Sequence, residues 1–173
     1  MFVDASHFVH SPFSGYLWSR KRIFIKAPLG RKRYNVLGAF DPIRYELTTV
    51  KNEGYVNATT VIELIVKLRL KYGSQKITMV MDNASYQRCK VVMEYACEHE
   101  VNLLFLPPYS PNLNLIERLW RFVKKNALNN KYYMNFKEFK ECIDNCLENI
   151  KTKYRDEVES LMTLNFHIIL NAK

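Results

Sequence analysis

Three acids sit where a carboxylate is either costly or placed to act. Asp4 lies inside the apolar, strand-like run from Phe2 to Val9, where a charge must be paired or belong to a site. Asp82 directly follows the apolar run Ile77-Thr78-Met79-Val80-Met81, at the carboxyl edge where open α/β sheets bind their ligands. Glu117 falls in a helical segment after the next strand, and no other acid lies between Glu100 and Glu138. Three carboxylates brought together can hold hard divalent cations through oxygen. Two such metals about 3.5–4 Å apart clamp the attacking and leaving oxygens of a phosphodiester. Each acid also has a purely structural reading. Asp4 can pair with a nearby Arg or Lys, Asp82-Asn83 can form a turn and helix cap, and Glu117 can pair with Arg121 four residues on. Periodicity does not choose between these readings.

The elements that must position these acids follow from the patterning. Phe2 to Val9, Tyr34 to Phe40 and Tyr45 to Val50 read as strands, the last two as a hairpin across Asp41-Pro42. Ile23-Phe24-Ile25 reads as a further short strand, between turns at Pro12–Gly15 and Pro28–Gly30. The period then changes to that of a helix. Asn57 or Thr59 caps a run to about Tyr72, with Val61, Leu64, Ile65, Leu68 and Tyr72 on one face and Gly73 as the stop. A strand at 77–81, a helix from about Tyr86 to His99 and a strand at 101–106 follow. Ser110-Pro111 is then expected to open a helix running to about Asn126. Two further helices, at 135–152 and 155–170, make the carboxyl-terminal part helical. A strand-helix-strand-helix run requires a parallel stretch of sheet, and the early hairpin requires an antiparallel one. The expectation is therefore one α/β domain over residues 1–173, a mixed sheet flanked by helices.

The chain has 173 residues with a net charge of +9, 48% hydrophobic and 25% charged. This composition excludes a disordered, collagen-like or low-complexity chain. No apolar run approaches the ~18 residues of a membrane span, and the start has no signal-peptide pattern. The positive charge is concentrated. Residues 5–40 hold seven bases, including Arg20, Lys21, Arg22, Arg31, Lys32 and Arg33, and no acid. Residues 111–137 hold six, including Arg118, Arg121, Lys124 and Lys125, against Glu117. Bases interleaved with Tyr, Phe and Trp suit a nucleic-acid backbone, though a solvated basic face has the same composition. The four cysteines form no C-x-x-C pair and no histidine joins them at zinc spacing, so they read as free thiols in a reducing cytoplasm.

Several motifs carry a family resemblance. They are Phe2-Val3-Asp4, Val36-Leu37-Gly38-Ala39-Phe40, Val80-Met81-Asp82-Asn83-Ala84 and, most distinctive, the unbroken run Leu106-Pro107-Pro108-Tyr109-Ser110-Pro111-Asn112-Leu113-Asn114-Leu115-Ile116-Glu117-Arg118-Leu119-Trp120. The chain resembles the catalytic domain of a DDE transposase, nearest the bacterial insertion-sequence branch of the mariner superfamily (the six-thirty family). The 34 residues between Asp82 and Glu117 match a spacing used in that family. The resemblance implies a ribonuclease-H-like fold and two Mg²⁺ ions, replaceable by Mn²⁺. Asp4 would bridge both metals, and Asp82 and Glu117 would each complete one. It implies double-stranded DNA as partner, both element ends and target. Water would hydrolyse the ends, and the freed 3′ hydroxyl would attack target DNA, without a covalent protein–DNA intermediate. It also implies a homo-oligomeric synaptic complex in the bacterial cytoplasm, at the nucleoid, with no membrane partner.

Under that resemblance Asn83 can bond Asp82 or a phosphate, Asn114 can orient Glu117, and Arg118, Arg121, Lys124 and Lys125 can hold the DNA backbone near the cut. Trp18 and Trp120 read as packing residues, and His7 and His10 are not expected to ligate metal. Ala5 stands where many relatives have Glu, and Gln87 where many have His. The family's helix-turn-helix region is not expected, because Met1 lies three residues before Asp4. The competing expectation is a catalytically silent fragment that binds DNA or pairs with an intact transposase.

Overall fold

The computed structural model describes residues 1–10, 20–22, 24, 31–108, 110 and 113–164. Among them the order is β1 (Phe2–His10), β2 (Lys32–Asp41), β3 (Glu46–Asn52), α1 (Ala58–Tyr72), β4 (Ile77–Met81), α2 (Lys90–Glu98), β5 (Val101–Phe105), α3 (Ile116–Ala127), α4 (Phe136–Glu148) and α5 (Arg155–Leu161). The strands form one sheet in the order β3-β2-β1-β4-β5. β1, β2 and β3 pair antiparallel, whereas β4 and β5 join parallel. The helices α1 and α2 supply the crossovers that parallel neighbours need.

The pleat sorts each strand's side chains onto two faces. Val3, Leu37, Ala39, Met79 and Met81 pack beneath α1 and α2 in one buried cluster. Phe8, Tyr34, Val36 and Phe40 pack beneath α3 and α4 in the other. The periodic face of α1 is buried as its sequence requires: Val61, Leu64, Ile65, Leu68 and Tyr72 all lie inside. Asn57 caps the helix in a reciprocal box with Thr60, and Gly73, at φ 56°, ends it in the left-handed region that glycine adopts at least cost. No helix among the described residues is long and apolar enough to cross a membrane.

Arg69, near the end of α1, ties the turns that launch the two parallel strands. Its guanidinium donates to the carbonyls of His99, Gly73, Gln75 and Glu100 at 2.5–2.8 Å. Lysine offers no planar fork to replace it. Arg69→Ala is expected to lower stability by about 2 kcal/mol, with Arg69→Lys recovering little of it. Urea unfolding of the three proteins reads this directly, and full recovery by Lys would refute the role of the fork.

Four boundaries differ from expectation. The helix expected over 155–170 ends at Leu161, where Met162 caps it with its N–H on the Val158 carbonyl. The helix expected from Tyr86 begins only at Lys90, because 84–88 turn tightly, with Gln87 N–H and Arg88 N–H both donating to the Ala84 carbonyl, and Cys89 is extended. The helix expected from Pro111 begins at Ile116, since the Asn114 amide is drawn to the Val3 carbonyl instead of continuing a helical face. The helix expected to end near 152 stops at Glu148, where Asn149 caps it. The strand at 23–25, both early turns, Trp18, Pro111 and the helical stretch expected beyond residue 164 lie wholly or partly outside the described residues.

Candidate active site

The sheet order puts Asp4 on the central strand. Across the antiparallel pair it faces Gly38, and on its other side Val3 is in register with Met81. Asp82 is therefore the next residue along the parallel neighbour. Asp4 points to the same side of the sheet as Phe2 and Phe8, toward α3. Glu117 sits in the first turn of α3. The helix is laid against the sheet by Ile116, Leu119, Trp120 and Val123, all buried. The three acids thus come from the middle of β1, the carboxyl end of β4 and the amino end of α3.

They lie within electrostatic reach of one another. Asp4 is raised to about 7, by burial first and then by the charges of Asp82 and Glu117, against the opposing Ala5 backbone N–H. Burial also raises Glu117; Arg121 and Lys124 oppose that shift, and Asp82 adds to it. Among the described residues, no three His, Cys, Asp or Glu side chains are gathered tightly enough to hold one metal ion. The acids share a field without forming a closed cage.

A cavity of about 370 Å³ opens beside them, with Asp82, Asn83, Ser110, Asn114 and Glu117 on its walls. Asn83 donates to the Leu106 carbonyl at 3.0 Å and so ties the exit of β4 to the exit of β5. Asn114 donates to the Val3 carbonyl at 3.0 Å, which anchors the approach to α3 directly beside Asp4. Its Oδ1 is buried without a partner, an acceptor lacking a donor on a wall shared with two acids. Such an atom fits a cation or a cation's water.

Two residues of this neighbourhood escaped the sequence reading. The Tyr86 phenol is pushed up to about 12, by burial first and then by Asp82 and Asp4, so it lies beside both acids. Its hydroxyl accepts from Gln87 Nε2 at 3.5 Å. A helix assumed from Tyr86 onward hid this placement; the close spacing to Asp82 was the available signal. Gly38 is the second: it stands in the Val36–Phe40 motif, but its part is revealed by its strand register.

The basic residues separate into two surfaces. Arg118, Arg121, Phe122 and Lys125 line a groove of about 520 Å³ between α3 and α5, next to Glu117. Arg118 is turned inward, donating to the Leu161 and Thr163 carbonyls. Lys124 lies over the Phe8 ring, 6.0 Å from its centroid. Arg31, Lys32 and Arg33 border a second groove of about 590 Å³, with Tyr55 and Phe136. Arg33 pairs with Val9, five residues along β1 from Asp4, or roughly 17 Å. Arg20, Lys21 and Arg22 are exposed, with the Arg22 guanidinium 5.1 Å from the Phe24 ring centroid. His7 bonds Asn35 and His10 bonds the Tyr133 carbonyl, each away from the acids.

Residues 1–140 match the family described as DDE superfamily endonuclease. An uncharacterized protein of Sinorhizobium fredii, y4pE/y4sA, is 31% identical over 68 residues, which are 39% of this chain and 46% of that protein. The Mos1 transposase, solved as a paired-end complex with the left transposon end, superposes with a TM-score of 0.59 at 15% identity, covering 95% of this chain and 55% of that one. The HTLV-2 integrase catalytic core, solved with magnesium in a dimeric form, gives a TM-score of 0.56 at 12% identity, covering 87% and 84%. The chain spans about half the length of the first two. The fold is accordingly the ribonuclease-H-like fold of transposase and integrase cores. With that sheet beneath a match covering most of its length, the chain belongs to the DDE superfamily endonucleases.

Proposed function

We propose that the chain cleaves and rejoins DNA strands in transposition of an insertion sequence, with Asp4, Asp82 and Glu117 as its metal-holding acids. The observation that carries this reading is the placement of three acids distant in sequence: Asp4 on β1 beside the end of β4, Asp82 directly after β4, and Glu117 in the first turn of α3 that packs over Asp4's face of the sheet. The donors fit hard divalent cations: three carboxylates and the unpartnered Asn114 Oδ1, all oxygen. Two Mg²⁺ ions, or Mn²⁺ in their place, would supply charge neutralisation and activation of water and of a 3′ hydroxyl.

The chain's own residues do the rest. Asp4 is held by its pairing with Gly38, one residue past the last β1–β4 pair, so its carboxylate is the reference for the other two. Asn83 and Asn114 hold the two loops that carry Asp82 and Glu117 to it. Arg121 and Lys124 oppose the upward shift that burial and Asp82 give Glu117. Arg121, Lys125 and the bases at 20–22 and 31–33 form the surfaces along which a phosphate backbone runs, with Arg118 bonded to the Leu161 and Thr163 carbonyls at the edge of the groove. DNA as partner and a homo-oligomeric assembly are supported by the transposon end held in the Mos1 complex and the dimeric form of the integrase core. A second reading, a DNA-binding chain without catalysis, is favoured by the absence of a closed carboxylate cage among the described residues.

Nicking of supercoiled plasmid decides between them. Wild type is expected to nick in Mg²⁺ or Mn²⁺ and to stop in EDTA. Asp4→Asn, Asp82→Asn and Glu117→Gln should each abolish the reaction. Folded wild type that binds DNA and does not nick would establish the silent reading, and nicking by the variants would overturn the assignment of the acids.

A further inference from the structure

We infer that Trp120, seated on Gly38, is a positioning residue that sets the depth of α3 against the sheet and holds Asp4 and Glu117 at their working separation. This rests on the proposed role of the acids. Gly38 and Asp4 face each other across β1 and β2 and look to the same side. A β-carbon at residue 38 would stand 2.8 Å from Trp120 Cη2, 2.9 Å from Cζ2 and 3.1 Å from Ile116 Cδ1. The indole therefore lies in the space that a side chain would fill, and only glycine leaves it open. Phe8 meets the same ring edge-on, at 6.4 Å and 83°.

Floor and wall thus fix the ring in one orientation. In that orientation its N–H is a buried donor without a hydrogen-bond partner, on the face of the sheet that Asp4 shares with Gly38. A donor left unpaired in a core costs about 1–3 kcal/mol, so a ring needed only for packing would be better served by phenylalanine. Glu117 lies one helical turn before Trp120 on the same helix. Whatever moves the indole outward lifts Glu117 away from Asp4.

Replacement of the ring separates packing from positioning. Trp120→Phe keeps a ring on Gly38 and removes the N–H, while Gly38→Ala keeps the N–H and lifts the ring. Each is expected to raise the Mn²⁺ concentration for half-maximal thermal shift by about tenfold, the loss common when a group supporting a metal ligand is removed. A Trp120→Phe protein with the wild-type Mn²⁺ midpoint would overturn the inference, and if Asp4→Asn has meanwhile lost its Mn²⁺ response, the proposed function stands without it. A wild type with neither Mn²⁺ response nor nicking would overturn both. A second readout needs no change at the site. In Trp18→Phe protein the sole indole is Trp120, and its emission should change with the same Mn²⁺ midpoint as the thermal shift. Emission that ignores Mn²⁺ while the melting temperature responds would refute the placement.

Discussion

Asp4→Asn protein in EDTA at pH 8 is expected to be more stable than wild type by about 2 kcal/mol, which is roughly 4–8 °C in melting temperature for a chain of this size. The reason is the burial of Asp4 beside two other acids, which holds its proton on to about pH 7 in the folded state. The unfolded chain releases that proton near 3.8. Between these values the folded state binds more protons, so wild-type stability falls as pH rises from about 4 to about 7 and stays low above. Asparagine carries no charge to desolvate and removes that part of the slope. Thermal melts of both proteins from pH 4 to 8, without metal, test the sign. Equal pH slopes would show that Asp4 is not held in a desolvating, like-charged setting. Excess Mg²⁺ should narrow the gap, because a bound cation offsets the same repulsion.

Asp82→Asn is expected to separate activity from stability. Asp82 is exposed beyond the end of β4, so its amide should leave the EDTA melting temperature within about 1–2 °C of wild type. Plasmid nicking should nevertheless fall about 10³-fold or more, since losing a carboxylate that neutralises metal charge removes several kcal/mol from transition-state stabilisation. Initial nicking rates over a Mg²⁺ series measure this. A fall of less than tenfold at saturating Mg²⁺ would place Asp82 outside the chemistry. Together, the two asparagine variants distinguish a site in which burial and chemistry coincide in one acid and part company in the other.

The placement of the acids on their elements was legible because the punctuation around them is strong. The apolar run 77–81 ends abruptly at Asp82, and Pro107-Pro108 halts the strand before the loop to Glu117. The face of α1 was legible because Val61, Leu64, Ile65, Leu68 and Tyr72 repeat at the helical period. Boundaries failed where a side chain or turn overrode propensity. Asn114 is committed to the Val3 carbonyl, 111 residues away in sequence, and no local pattern encodes that bond. Tyr86 was hidden for the same kind of reason: the turn at 84–88 competes with a helix that the apolar spacing allows equally well. Gly38 reads in sequence as one residue of the Val36–Phe40 motif and a weak point in a strand. Its meaning depends on strand register and on the position of an indole 82 residues later. The division of the basic residues between two grooves, and the inward turn of Arg118, are likewise properties of packing and not of composition.

The parallel pairing of β1 with β4 also imposes an order in time. β1 and β2 are consecutive strands, so the strand that holds Asp4 finds its first partner early. Its second partner, β4, is separated from it by β2, β3 and α1, and the loop-closure entropy for that encounter is larger. α3, arriving later still, is what covers Asp4. Until α3 covers it, Asp4 is therefore apart from Glu117. The repulsion among the three acids is met only at the final docking, once the fold is nearly complete. The proposed site is thus incomplete until α3 docks, and the pairing of β1 with β2 is made before that repulsion exists.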